Sequence, residues 1–166
     1  MSAASRNESG GVVLICFDGS DDAHAAILAA APLVAAYDVV VACFWQPFAD
    51  FARTYAVSLL EIVQDASQIN EREEARALAV ASAGADLARA SGVAAAAARA
   101  PKVSGPVDEA IIAFADQLDA SLIVLGSRGR SSVGSALLGD VAHDVVQRAR
   151  RPVLVVPSSS LAERRR

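Results

Sequence analysis

Ser121-Leu122-Ile123-Val124-Leu125-Gly126-Ser127-Arg128-Gly129 is the stretch on which the fold turns. Its first half is a short apolar run, which reads as a strand buried on both faces of a parallel sheet. Its second half is a glycine-spaced loop that runs on to Gly139-Asp140. There Val141, Val145 and Val146 alternate with polar Asp144, Gln147 and Arg148 at helical spacing. The order is therefore strand, glycine-spaced loop, helix start. Loop amides without side chains can surround an anion, and a helix N-terminus adds partial positive charge. Such a device holds phosphate without a lysine.

The rest of the chain repeats the alternation. Residues 12–17 read as the first strand, and Ser20 or Asp21 as the cap of a helix running to about Tyr37. Pro32 removes a backbone donor within that helix, so a kink or a packing compensation is expected. Val39 to Trp45 is the second strand, and Pro47 to about Ser58 is irregular. Leu59 to Ala90 is a long helix with a weak point at Gly84. Val93 to Ala100 contains five consecutive alanines, which favour helix by propensity. Its place in the alternation makes it the third strand. Gly105-Pro106 opens a helix to about Leu118, with Pro106 in the first turn. Leu122–Leu125, Gly139–Ala149 and Val153–Val156 are the fourth strand, last helix and fifth strand. Strands alternating with helices imply right-handed crossovers: an α/β fold with a doubly wound parallel sheet and helices on both faces.

Composition bounds the function. The 166 residues are enough for one domain, placed at residues 11–157. Residues 1–10 are polar and small, with no apolar signal core, and are expected to be disordered. Residues 158–166 end in three arginines and are expected to form a mobile tail. The longest apolar run, Ala25 to Tyr37, is too short to cross a bilayer and contains Pro32. A cytoplasmic protein with no membrane contact is the expectation. The net charge of −4 argues against nucleic-acid binding. Cys16 and Cys43 lie in apolar runs and read as buried core thiols. There is no C-x-x-C, and His24 and His143 are far apart in sequence, so no metal ligands are assigned.

Gly126-x2-Gly129-x9-Gly139 resembles the nucleotide-binding signature of the universal stress protein family, in its single-domain bacterial form. Val12-Val13-Leu14-Ile15-Cys16-Phe17-Asp18-Gly19-Ser20 is similar to that family's first strand and aspartate, and Arg151-Pro152-Val153-Leu154-Val155-Val156 to its closing strand. The resemblance covers residues 11–157. It implies a five-stranded, Rossmann-like sheet in order 3-2-1-4-5, of the adenine nucleotide alpha hydrolase-like type. That order reverses between strands 1 and 4, and doubly wound sheets bind ligands at the carboxyl ends of the strands flanking such a switch. Asp18 ends strand 1 and Gly126 ends strand 4, so the two motifs converge on one crevice.

The resemblance also implies roles. Asp18 would lie by the adenine and ribose, and Phe44 would wall the base pocket. Gly126 and Gly129 would turn amides toward phosphate, Gly139 would let backbone approach it, and Arg128 would add charge. Each residue also has a plainer reading: Asp18 as a turn residue, the glycines as tight turns, Arg128 as a solvated loop residue, and Phe44 as core. Asp140 departs from the family pattern, which places Ser, Thr or Asn after the third glycine. Aspartate is a favoured helix N-cap and suits the helix dipole. Against a phosphate about 4 Å away, at an effective dielectric of about 20, it would cost roughly 4 kcal/mol. That corresponds to about a thousandfold in affinity.

Two readings therefore stand. One is a regulatory, non-catalytic protein that senses an adenine nucleotide, ATP or AMP, with magnesium entering only alongside the nucleotide. The other is a ligand-free dimeric interaction module in which Asp140 disfavours phosphate. An ATP-using enzyme ranks third, with weak ATP hydrolysis left open. There is no Walker lysine, no Ser-Gly-Gly-x-Asp-Ser loop and no Ser/His/Asp constellation, so no catalytic residue is assigned. Val153–Val156 would end the sheet as a flat apolar edge, and pairing with its own copy predicts a homodimer. No other protein partner is named by the sequence.

Overall fold

In a computed structural model, residues 11–47, 66–129 and 138–157 are described. Their elements are β1 (Val12–Cys16), α1 (Asp21–Val34), β2 (Asp38–Ala42), α2 (Ala66–Ala90), β3 (Ala96–Arg99), α3 (Val107–Gln117), β4 (Ala120–Gly126), α4 (Asp140–Arg148) and β5 (Val153–Val156). All neighbouring strands pair in parallel, in the order β3-β2-β1-β4-β5. The doubly wound sheet expected from the sequence is the one observed. The disordered segment expected at 1–10, the tail at 158–166 and most of the irregular stretch after Pro47 lie outside the described residues.

Successive strand residues point to opposite faces, and that alternation builds two cores. On one face Val13, Ile15, Val39, Val41 and Val124 meet α1 and α2 through Ala26, Ile27, Ala30, Ala85 and Ala88. On the other, Leu14, Val40, Ile123 and Leu125 meet α3 and α4 through Ile111, Ala115, Ala142 and Val145. Because β1 is the central strand, Val13, Leu14 and Ile15 are all fully buried. Among the described residues no helix is long and apolar enough to cross a membrane.

Three local features are decided by the packing. Helix α2 runs through Gly84 without a break. A Cβ there would come within 2.7 Å of Phe17 Cδ1 and 2.9 Å of Val41 Cγ1, so this glycine is where the helix presses on the sheet. Pro32 sits in the last turn of α1 on its exposed side. The carbonyl it strands, four residues earlier, belongs to exposed Leu28, where water can satisfy it. The alanine run forms strand β3 because its backbone completes the ladder with β2, Val39 opposite Ala96 and Val41 opposite Ala98. Pairing there overrides the helical propensity of alanine.

Candidate functional site

The switch point lies between β1 and β4, where the chain turns from β1 to α1 and from β4 to α4. After β1, Asp18 Oδ1 accepts the Ser20 N–H at 2.9 Å, closing an aspartate turn. Gly19 takes φ +81°, a region that side chains disfavour. Ser20 is the N-cap of α1, and its Oγ accepts the Ala23 N–H at 3.2 Å. His24 adds a ring-nitrogen contact of 2.8 Å to the Ser20 carbonyl and packs edge-on against Phe17.

After β4, the glycine spacing divides into separate tasks. A Cβ on Gly126 would lie 2.7 Å from the Asp22 carbonyl carbon and 2.8 Å from Ala23 N. The α1 backbone fills that space, so Gly126 lets β4 end against the first turn of α1. A Cβ on Gly129 would instead meet Asp18 Oδ2 at 3.0 Å. Gly129 therefore brings the β4 loop directly onto the aspartate that ends β1. Gly139 is the N-cap of α4, and its N–H donates to the Ser127 carbonyl at 2.8 Å. That bond ties the two ends of the loop together in a neck. Asp140 is the first residue of α4 rather than its cap, and it is exposed. Its position corrects the capping role expected of it; the match to the helix dipole stands.

Asp22 and Ser127 are contributors that sequence reasoning passed over. Asp22 is 5% exposed. Ser127 Oγ donates to Asp22 Oδ2 at 2.6 Å, and the Arg128 N–H donates to the same oxygen at 3.0 Å. Arg128 Nε lies 3.8 Å from it, with the arginine side chain only 17% exposed. Arg128 therefore turns inward onto a carboxylate instead of out into solvent. The Ser127 N–H is committed to the Val156 carbonyl at 2.8 Å. A usable signal was present: Asp22, Ala26, Ala30 and Val34 fall at four-residue spacing on the buried side of α1. A carboxylate in that row must meet donors from a neighbouring element.

The structure thus brings together Asp18, Gly126, Arg128, Gly129 and Gly139, with Asp140 one residue beyond the neck. Phe44 is half-buried and sits edge-on to Phe114 of α3, ring centroids 5.9 Å apart, in the second core. Cys43 is buried, whereas Cys16 at the end of β1 is half-buried, less than its apolar setting suggested. Desolvation, followed by the nearby Asp18 charge and then Cys43, pushes the Cys16 thiol up and keeps it protonated. Among the described residues no cluster of histidine, cysteine and carboxylate could hold a metal ion.

Comparison with known proteins agrees with this architecture. The universal stress protein MJ0531 of Methanocaldococcus jannaschii is 45% identical over 51 residues, 31% of this chain and 29% of that protein. The match thus spans under a third of that relative. A solved universal stress protein in complex with cAMP is 25% identical, with a TM-score of 0.61, covering 92% of this chain and 100% of its own. The universal stress protein UspA from Lactobacillus plantarum shares the fold at 20% identity and a TM-score of 0.70, over 90% of this chain and 99% of its own. A sequence profile of the universal stress protein family matches residues 11–157, and the chain belongs to that family.

Proposed function

We propose that this protein is a regulatory, non-catalytic binder of an adenine nucleotide, held in the crevice between β1 and β4. The observation that carries the reading is the meeting of Gly129 with Asp18, where a Cβ would come within 3.0 Å of the carboxylate. Two motifs separated by most of the chain meet at the topological switch point, where doubly wound sheets take ligands. The cAMP complex of a relative supports adenine nucleotides as the class.

The residues present fit such a ligand in part. The start of α4 suits a phosphate and the Asp18 carboxylate suits ribose hydroxyls as an acceptor, whereas the Ser127, Arg128 and Gly139 amides are bonded within the protein. Asp140 at the mouth of α4 works against a highly charged ligand. When bound, the nucleotide would supply a signal rather than a reaction. The test is mass spectrometry of natively purified protein beside Gly129→Val. Adenine nucleotide should accompany the wild type and be absent from the variant, because a branched side chain would meet Asp18 and block the loop. The same protein free of nucleotide in both forms would overturn the reading.

A second reading, a dimeric interaction module, is favoured by β5. Val153–Val156 are all half-buried at the outer edge of the sheet. We infer that this edge pairs with its own copy about a two-fold axis. Light scattering should find a dimer in the wild type and a monomer in Val155→Lys, since a charge would enter the paired strands. A monomeric wild type, or a variant that stays dimeric, would remove this interface.

A further inference from the structure

We propose that Arg89 and Arg99 close the β3 edge of the sheet against strand addition by a second copy of this chain, leaving β5 as the edge open to pairing. On its inner side β3 is bonded to β2: the Val39 and Cys43 N–H groups donate to the Ala95 and Arg99 carbonyls. Backbone groups alternate in direction along a strand, so the Ala96 and Ala98 carbonyls point the other way, out of the sheet. Both are already taken. Arg89 Nη1 donates to the Ala96 carbonyl, and Arg99 Nη1 donates to the Ala98 carbonyl at 2.8 Å. The two side chains come from opposite faces. Arg89 lies in the last turn of α2 and is held there by an ion pair with Asp86. Ala96 and Ala98 pack against the core under α1 and α2, so Arg99 projects from the other face.

An open strand edge is a template for another chain, and proteins blunt it with lysine, proline, a bulge or a covering element. Ala96-Ala97-Ala98-Arg99 has no lysine or proline, and its register with β2 is unbroken. Its alanines are too small to shade the backbone. An incoming strand would have to displace both guanidiniums from their carbonyls and set their charges against its own backbone. At β5 the arrangement differs. The Ile123 and Ser127 N–H groups donate to the Pro152 and Val156 carbonyls, so those of Val153 and Val155 point outward. Among the described residues no side chain donates to either. The asymmetry limits the size of an assembly. Two open edges on one sheet let copies add without closing, whereas a single open edge stops at a two-fold pair.

The experiment is light scattering after size-exclusion chromatography of the full chain, for wild type, Arg99→Ala and the double variant Arg89→Ala/Arg99→Ala, with circular dichroism to follow the fold. The double variant should form species of at least twice the wild-type mass, and Arg99→Ala a smaller share of them. Adding Ala97→Lys to the double variant should restore the wild-type mass, because a lysine on an exposed edge opposes pairing. A folded double variant with the mass of the wild type overturns the inference, whether the wild type is a dimer or a monomer. Larger species that Ala97→Lys does not reverse overturn it as well, since they would come from exposed core rather than from the strand edge. A monomeric wild type removes the β5 contact proposed above and leaves the comparison at β3 intact. Should the double variant fail to fold, Arg99→Ala decides the matter by itself: larger species support the closed edge, and an unchanged mass overturns it.

Discussion

Two helices begin on either side of the crevice, and their N-termini are finished differently. At α1 the chain supplies its own partners. Ser20 caps Ala23, Asp18 holds Ser20, and Asp22 in the first turn is buried under Ser127 and Arg128. At α4 the cap is Gly139, no side-chain cap is present among the described residues, and Asp140 faces solvent. One helix end spends its donors and charges on holding the fold. The other offers backbone alone. A binding loop needs both, because a loop is only as well positioned as the element it leans on.

Changing Asp140 sharpens the contrast most. Asp140→Ser removes the exposed carboxylate from the open end, and ATP affinity should rise by up to about a thousandfold in calorimetry. An unchanged affinity would mean that the carboxylate points away from the ligand. Gly126→Ala attacks the closed end. Its new methyl would run into α1 backbone at 2.7 and 2.8 Å, which cannot rotate aside as a side chain can. The variant should lose about 2–3 kcal/mol in denaturant unfolding. A loss of binding with no loss of stability would shift Gly126 from fold to site. Ser20→Ala removes the cap of α1 and should cost about 1 kcal/mol by the same measurement. If it instead changes nucleotide affinity as strongly as stability, the two helix ends are not separate in function.

Much of the sheet was legible because its signals are local. Leu122–Leu125 and Val153–Val156 are apolar runs bounded by turn residues, and both are strands. Readings that depended on a neighbour were harder. Gly84 looks like a weak point to propensity, but Phe17 and Val41, distant in sequence, decide that only glycine fits. Ala96–Arg99 is helical by propensity alone; its place in the alternation marked it as a strand, and the ladder with β2 is what holds it there. The site follows the same rule. Asp18 and the glycines were found from their spacing, whereas Asp22 carries meaning only once Ser127 and Arg128 lie against it. Gly126 and Gly129 share one motif, and the sequence cannot distinguish the one that packs on α1 from the one that meets Asp18.

The central place of β1 carries a consequence for how the molecule is made. Val13 pairs with Val39 on one side and with Leu122 on the other. The first partner follows soon after it on the ribosome, whereas the second comes about a hundred residues later, on the order of 5–20 s at ordinary synthesis rates. During that interval the growing chain exposes an open strand edge and the apolar side of α1, which rests on β4 in the finished protein. Asp22 likewise waits for Ser127. The nascent chain therefore passes through a window in which it is prone to aggregation and open to chaperones. The crevice comes into being only when β4 closes the sheet, so a truncated product would have neither the fold nor the site.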